Sequence, residues 1–360
     1  MRLTMRKRRK FGNMMQTIWK ALTHLIFLSH VRFILSIILA IFLFLCLVPY
    51  GISKLPHSTD SPGSDTSHEA DFETVEAPET ITLYRTETGK TETIDFEDYV
   101  KGVVAGEMPS TFHLEALKAQ AVAARTYSAA RIINAEEKGN PEAHPDAALC
   151  DTTHCQVYRD TAELEELKGE EWMEDGWQKI CSAVADTEGE LLYYKGELVQ
   201  QALFHSSSGG KTENSEDVFA SAVPYLVSVE SPYEDEATHQ QETHSFSISE
   251  FTQAVKKSYP NISFGTIKSS NIEILSRSSG GSVEKMQVGS AALTGVQVRT
   301  ALELPSANFT IEIKDNTITF TSNGSGHGVG MSQYGANGMA EKGYDYKDIL
   351  SHYYSGTEVY

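Results

Sequence analysis

The sequence predicts an α+β body, with central helices and antiparallel sheet, preceded by one transmembrane helix. Three observations predict it: an uncharged apolar run over residues 33–52, a 3.6-residue apolar period recurring between about 96 and 186, and two-residue alternation from 245 to 320, as in Ile272-Glu273-Ile274-Leu275 and Phe309-Thr310-Ile311-Glu312-Ile313. At 360 residues, 40% hydrophobic and 22% charged, the chain can build a core, which excludes wholesale disorder. Four cysteines are too few and too scattered to serve as a disulfide scaffold.

The N-terminal elements come first. Residues 1–32 carry the basic block Arg6-Lys7-Arg8-Arg9-Lys10, and the twenty residues 33–52 that follow are long enough to cross hydrocarbon as a helix. Lys and Arg on the N-terminal flank, with acids beyond, place the N-terminus in the cytoplasm and the bulk outside the cell membrane. A cleaved secretory signal is the competing reading, but Leu47-Val48-Pro49-Tyr50 offers no small-x-small cleavage site. Residues 53–80 are polar, acidic and broken by proline, the composition of a flexible tether. Residues 81–360 remain as the folded ectodomain, enough for one large domain or two lobes. The net charge of −19 conceals a basic front, so the rest of the chain is strongly acidic, which argues against nucleic acid as a ligand.

Within the ectodomain, Ile81 to Tyr84 and the residues after Gly89-Lys90 read as a hairpin. Phe96, Tyr99, Val100, Val103 and Val104 form one helical face that Gly106 should end, with Pro109 blocking continuation. A second helix is expected from about Leu114 to Ile133, capped by Ser110 or Thr111. Its inner face of Leu114, Leu117, Ala121, Ala124 and Ser128 is small enough for close packing at the centre. Residues 160–186 read as one acidic helix with Cys181 in the core. Strands are expected at 191–194 and 198–204, and a short helix at 294–302 interrupts the later sheet.

Three groups of residues carry chemistry. Glu107 sits between apolar Gly106 and Met108-Pro109: apolar surroundings would raise its pKa and fit it for general-acid work, whereas a place in a helix's first turn would lower it. Asp98 and Glu115 read as surface charge. His144, Cys150, His154 and Cys155 fall within twelve residues and offer two imidazoles and two thiolates, a set zinc accepts tetrahedrally. A Cys150 to Cys155 disulfide is the alternative outside the cytoplasm. The Gly326-His327-Gly328-Val329-Gly330 run marks a loop where backbone approaches closely, without the Gly-Lys-Ser/Thr ending of a nucleotide site.

Taken in order, Tyr99 to Pro109 with Gly-Glu-Met-Pro at its end, Leu114 to Tyr127, Phe204-His205-Ser206-Ser207-Ser208-Gly209-Gly210, Leu293-Thr294-Gly295 with Arg299, Ser306 with Asn308-Phe309, and Gly326 to Ala336 resemble the stage II sporulation protein D family over residues 80–360. The resemblance implies a two-lobed, membrane-anchored lytic transglycosylase of sporulation, cleaving the β-1,4 bond between N-acetylmuramic acid and N-acetylglucosamine in peptide-stripped peptidoglycan strands. It assigns the catalytic acid to Glu107 and puts His327, Gln333 and Tyr334 along the substrate groove, with Ser206, Ser207 and Ser208 either lining that groove or turning the chain. Tyr225 and Tyr233 are further candidates for stacking on sugars. Some family members hold zinc through His and Cys after the long helix, which points to a structural zinc at His144, Cys150, His154 and Cys155. The implied partners are a sporulation amidase and a multispanning membrane scaffold. A binding module that activates an amidase is the rival function, and a zinc hydrolase is another.

Overall fold

The computed structural model describes residues 72–219 and 221–360; the predicted basic N-terminus, the membrane segment and residues 53–71 of the tether lie outside them. Among the described residues no helix is long and apolar enough to cross a membrane. Part of the stretch read as tether lies on the body: the Phe72 ring centroid sits 5.1 Å from those of Tyr193 and Tyr360, and the Val75 N–H donates to the Tyr193 hydroxyl at 2.8 Å.

The expected hairpin is present as β1 (Thr80–Arg85) and β2 (Lys90–Asp95), turning at Gly89 with φ +66°. α1 (Phe96–Glu107) starts on an Asp95 cap and stops where Met108 adopts the extended backbone that a following proline favours. α2 (Leu114–Lys138) is the centre of the larger lobe, as its small side chains predict: Ala116, Ala119, Ala121, Ala123, Ala124 and Ala129 are fully buried. Its cap is His113 and neither Ser110 nor Thr111, because the Ser110 hydroxyl is taken by the Trp172 indole N–H at 2.8 Å. The helix also runs past Ile133 to Gly139, whose φ of +85° ends it; the last turns are polar and exposed, so the apolar period stops before the helix does.

β3 (Leu149–Cys150) pairs parallel with β1. The single helix expected over 160–186 is two, α3 (Thr161–Lys168) and α4 (Glu170–Ala185), broken at Gly169 with φ +87°, and Cys181 is only half-buried. β4 (Leu192–Tyr194) forms as expected, but 198–204 is not one strand. β5 (Glu197–Leu198) and β6 (Phe204–His205) are separated where the N–H groups of Gln200 and Gln201 turn to the Tyr225 hydroxyl at 3.0 and 3.1 Å. A side chain thus takes the donors a ladder would need. α5 (Ser215–Val218) is a single turn.

The smaller lobe comprises β7 (Glu242–Ser247), α6 (Ile248–Ser258), β8 (Ile272–Arg277), β9 (Val283–Val288), β10 (Ala291–Leu293), α7 (Gly295–Leu302), β11 (Phe309–Lys314) and β12 (Thr317–Ser322). Two antiparallel three-stranded sheets, ordered β10-β9-β8 and β11-β12-β7, share a core of Phe251, Phe309, Phe320, Met286 and Val298 that is separate from the main one. The chain then returns to the larger lobe through β13 (Met331–Ser332), which pairs parallel with β6, then α8 (Gln333–Glu341), α9 (Tyr346–Tyr353) and β14 (Thr357–Val359). The sheets are antiparallel as expected except at the β1/β3 and β6/β13 pairs.

Candidate active site

Glu107 is the last residue of α1 and lines a cavity of about 470 Å³. Two glycines put it there. A Cβ on Gly102 would stand 2.4 Å from the Tyr158 ring, and one on Gly106 would stand 2.6 Å from the Val157 carbonyl oxygen. Without side chains at those positions, residues 157–159 lie directly on α1, and the Val157 N–H donates to Glu107 Oε1 at 2.7 Å. Burial raises the Glu107 pKa above the ordinary carboxylate value, and the hydrogen bonds from the Val157 backbone and the Gln333 side chain only partly oppose it. Its place at the C-terminal end of α1 rules out the first-turn reading: the helix dipole there disfavours a negative charge.

The wall opposite is built by close backbone approach. Gly326 (φ +109°) and Gly330 (φ +73°) adopt conformations that favour glycine, and a Cβ on Gly330 would lie 2.1 Å from the Leu203 carbonyl. The loop is thereby pressed against β6, with the His205 and His327 ring centroids 5.7 Å apart. The Val329 carbonyl can only accept, so His205 Nδ1, 3.2 Å away, carries the proton, leaving Nε2 as a buried lone pair without a partner among the described residues. His327 Nδ1 instead accepts the Val329 N–H at 3.1 Å. Burial lowers both pKa values, His205 to about 3 with help from the neighbouring His327 and, less, Arg299, and His327 to about 4 with help from Arg299, so both rings are neutral.

Of the residues the sequence proposes for substrate, Ser206, His327 and Gln333 line the cavity with Glu107. Ser207 and Ser208 do not. Both are buried, the Ser207 hydroxyl donating to the Thr238 carbonyl at 3.2 Å and that of Ser208 to Glu234 Oε1 at 2.8 Å. Both also line a small neighbouring pocket that shares Gly326 and His327 with the cavity. Tyr334 packs edge-on against Phe112, Tyr225 is buried beneath 200–201, and neither they nor Tyr233 line the cavity. Asp98 and Glu115 pair with Lys101 and Lys118 and are likewise absent from its wall. Sequence reasoning gave no role to Tyr127, Gln156, His205 or Arg299, all of which line it. Arg299 enters the sequence reading only as one of the family words, with no partner assigned. The next turn ends at Glu303, which caps α7 in the left-handed conformation at φ 55°, and burial is what acts on the Arg299 guanidinium.

The candidate metal ligands converge. His144 Nε2, Cys150 Sγ, His154 Nδ1 and Cys155 Sγ all lie within 4.8 Å of one another. The nitrogens are 3.3 Å apart, and Cys155 Sγ stands 3.4 and 3.5 Å from them. Tetrahedral zinc with bonds of about 2.0–2.3 Å requires ligand atoms about 3.3–3.8 Å apart, a spacing that the two nitrogens and Cys155 Sγ have among themselves and Cys150 Sγ has to His154 Nδ1, so these donors suit that ion. His144 Nδ1 meets the Ala147 carbonyl at 2.8 Å, the outer contact that fixes a ligating ring. Cys150 and Cys155 are free thiols, not a disulfide. The cluster and the cavity share a wall, since Thr153, Cys155 and Gln156 line the space into which Glu107 faces.

One acidic group, two neutral imidazoles and a cysteine-histidine cluster around one cavity are the setting for comparison with known proteins. Residues 84–194, which hold Glu107 and all four cluster residues, match a family described as SpoIID, stage II sporulation protein. Two proteins named stage II sporulation protein D are similar over most of their length. The one from Bacillus amyloliquefaciens is 38% identical over 318 residues, 87% of this chain and 89% of its own, and the one from Bacillus subtilis is 40% identical over 288 residues, 80% and 81%. The chain belongs to the stage II sporulation protein D family of sporulation proteins. A Bacillus subtilis protein named amidase enhancer is 31% identical over 308 residues, 72% of this chain and 40% of that protein.

Proposed function

We propose that this protein is a peptidoglycan lytic transglycosylase that cuts the β-1,4 bond between N-acetylmuramic acid and N-acetylglucosamine during engulfment in sporulation. The observation that supports it most is that, among the described residues, Glu107 is the one carboxylate on the cavity wall and that burial favours its protonated form. Glycoside hydrolysis ordinarily uses two carboxyl groups, the second to activate water or to form a covalent intermediate. A transglycosylase needs one. The protonated Glu107 carboxyl gives its proton to the bridging oxygen as the bond to the muramic anomeric carbon breaks. The resulting carboxylate then takes the proton from the C6 hydroxyl of the same sugar while that oxygen bonds to the anomeric carbon, closing a 1,6-anhydro ring. The nucleophile is intramolecular, with the high effective concentration that implies. His327 and Gln333 offer hydrogen bonds to the sugar.

In this reading zinc is structural, held by His144, Cys150, His154 and Cys155, which leave no open position for water. When bound it would tie together the loop that leads to Val157. The N-terminal segment would anchor the chain in the cell membrane with the ectodomain outside, acting beside a sporulation amidase and a membrane scaffold. The test is to incubate the protein with peptide-free glycan in heavy-oxygen water and weigh the products. Muramic ends one water lighter than hydrolysis products, without label, are expected; labelled reducing ends overturn the proposal. A second reading, a non-catalytic glycan-binding activator of an amidase, is favoured by the similarity to the amidase enhancer. It predicts no cleavage by either the native chain or Glu107→Gln.

A further inference from the structure

Arg299 is the second charged residue on the cavity wall, and the reaction above gives it nothing to do. It is also the single lining residue supplied by the helices and strands of the smaller lobe, reaching in from the last turn of α7. Its Nε donates to the Leu304 carbonyl at 3.3 Å, which closes the end of its own helix. The two terminal nitrogens make no hydrogen bond or ion pair among the described residues. Desolvation acts on the guanidinium with no carboxylate to oppose it, and Arg299 is not among the groups that shift Glu107. The cation is therefore not compensating the catalytic acid. A guanidinium keeps its charge under all working conditions, and holding one in a partly buried site without a counter-ion is costly. The neighbouring rings of His205 and His327 are neutral, so they neither share nor offset that charge.

A planar fork of free N–H donors at the edge of a binding cavity matches a carboxylate, which it can hold through two parallel hydrogen bonds. Resting on the glycan reading above, the chemistry of the substrate supplies one candidate. The lactyl group of muramic acid ends in a carboxylate when no peptide is attached and in a neutral amide when one is. We propose that Arg299 pairs with the free lactyl carboxylate of the muramic acid seated in the cavity, making it the residue that selects peptide-free strands. The smaller lobe then contributes substrate discrimination to a site whose acid lies wholly in the larger one.

The test uses the full-length chain carrying Glu107→Gln, so that strands are bound and not cut. Two probes are compared: peptide-free strands of alternating N-acetylglucosamine and N-acetylmuramic acid, and the same strands with their lactyl carboxylates capped as methyl amides. Capping is expected to weaken binding about tenfold or more, the scale of one charge-assisted pair. Adding Arg299→Gln should weaken binding of the uncapped strands to the same extent, with no further loss on capping, while Arg299→Lys, a point charge without the fork, falls between. Equal affinity for capped and uncapped strands overturns the proposal, and that arm needs no change at Arg299. Equal loss on both strands in Arg299→Gln also overturns it. If the native chain makes anhydro products from both strands at one rate, the carboxylate pairing is wrong and the lyase stands. If neither strand is bound or cut, the glycan reading fails and this proposal with it.

Discussion

The backbone N–H of Val157 donates to Oε1 of Glu107 across 2.7 Å, joining the end of a buried helix to a segment that begins two residues after Cys155. That bond fixes one oxygen of the carboxyl group, so the proton of the neutral acid sits on the other. It also couples the acid to the cysteine-histidine loop by a path of two peptide units. Position, protonation and loop geometry at this site are one problem.

Glu107→Gln keeps an oxygen for Val157 and removes the proton. Glycan cleavage is expected to fall by about 10²–10⁴, the usual weight of a general acid, while the melting temperature changes little. The proposed reaction requires the protonated acid in its first step. Because burial raises this pKa, activity should persist above the ordinary carboxylate range and decline as pH rises through the elevated value. A rate that is flat through that region, or a Gln variant as active as the native chain, would remove Glu107 from the chemistry.

Gly106→Ala tests the scaffold beneath the acid. The added methyl would stand 2.6 Å from the Val157 carbonyl, a backbone atom that cannot move without its neighbours. Segment 157–159 must lift from α1, at a cost of about 1–3 kcal/mol for overpacking. Chemical denaturation measures that loss. Amide exchange at Val157 should quicken at the same time, as its hydrogen bond lengthens.

Arg125 is fully buried in the middle of α2 and holds Glu97 through Nε and Nη2, both at 2.7 Å. It also donates to the Val184 and Glu190 carbonyls at 3.3 Å, so one side chain ties α1 to both ends of the 184–190 segment. Arg125→Met removes both donors to Glu97 and the donor to the Glu190 carbonyl, while the Val184 carbonyl keeps the Thr187 N–H and hydroxyl. Breaking one partner of such a pair destabilises by about 3–5 kcal/mol, and a urea midpoint unchanged from the native chain would contradict this account.

The sequence makes much of this legible, and unevenly. The small-residue face of α2 announces a central helix because backbone proximity depends on side-chain volume, which is local information. The four metal-ligand candidates are a short-range pattern, readable from neighbouring residues alone, whereas Glu107 and His327 take their expected roles from the family resemblance of the words around them. What escapes is whatever depends on a partner distant in the chain. Ser110 looks like a helix cap until Trp172 claims its hydroxyl, and 198–204 looks like a strand until Tyr225 takes its donors. For Ser208 the sequence leaves groove and turn both open, and nothing local shows that Glu234 is buried beneath it, accepting from Ser208, Ser231 and Ser332. The separate core of the smaller lobe is visible only as alternation, and its contribution of Arg299 to the cavity is not visible at all.

His205 and His327 make stability depend on acid. Their folded pKa values are depressed to about 3 and about 4, below the ordinary value of 6.5, so between 6.5 and those values the unfolded chain binds protons the folded chain refuses. Stability present above pH 6.5 is therefore lost as pH falls, with a limiting slope of about 1.4 kcal/mol per pH unit for each ring. Urea midpoints measured from about pH 7 down to about pH 4.5 should drop steeply, and His327→Gln should flatten the drop. A slope unchanged in that variant would mean that the ring titrates normally.

Metal content gives the last prediction. If His144, Cys150, His154 and Cys155 hold zinc, the purified chain should carry about one equivalent, measurable by elemental analysis, and the metal should resist dilution because all four ligands come from a single short stretch. Chelation should lower the melting temperature, since four ligand atoms gathered within 4.8 Å of one another lose their common centre without an ion. The loss should be largest locally: amide exchange should rise across 151–157, including the Val157 donor to Glu107, and much less in α2. Cys150→Ala should lose the metal and reproduce the chelated state. A chain that binds no zinc, or one whose exchange pattern is the same with and without it, would leave the cluster as a pair of thiols and imidazoles held by the fold alone.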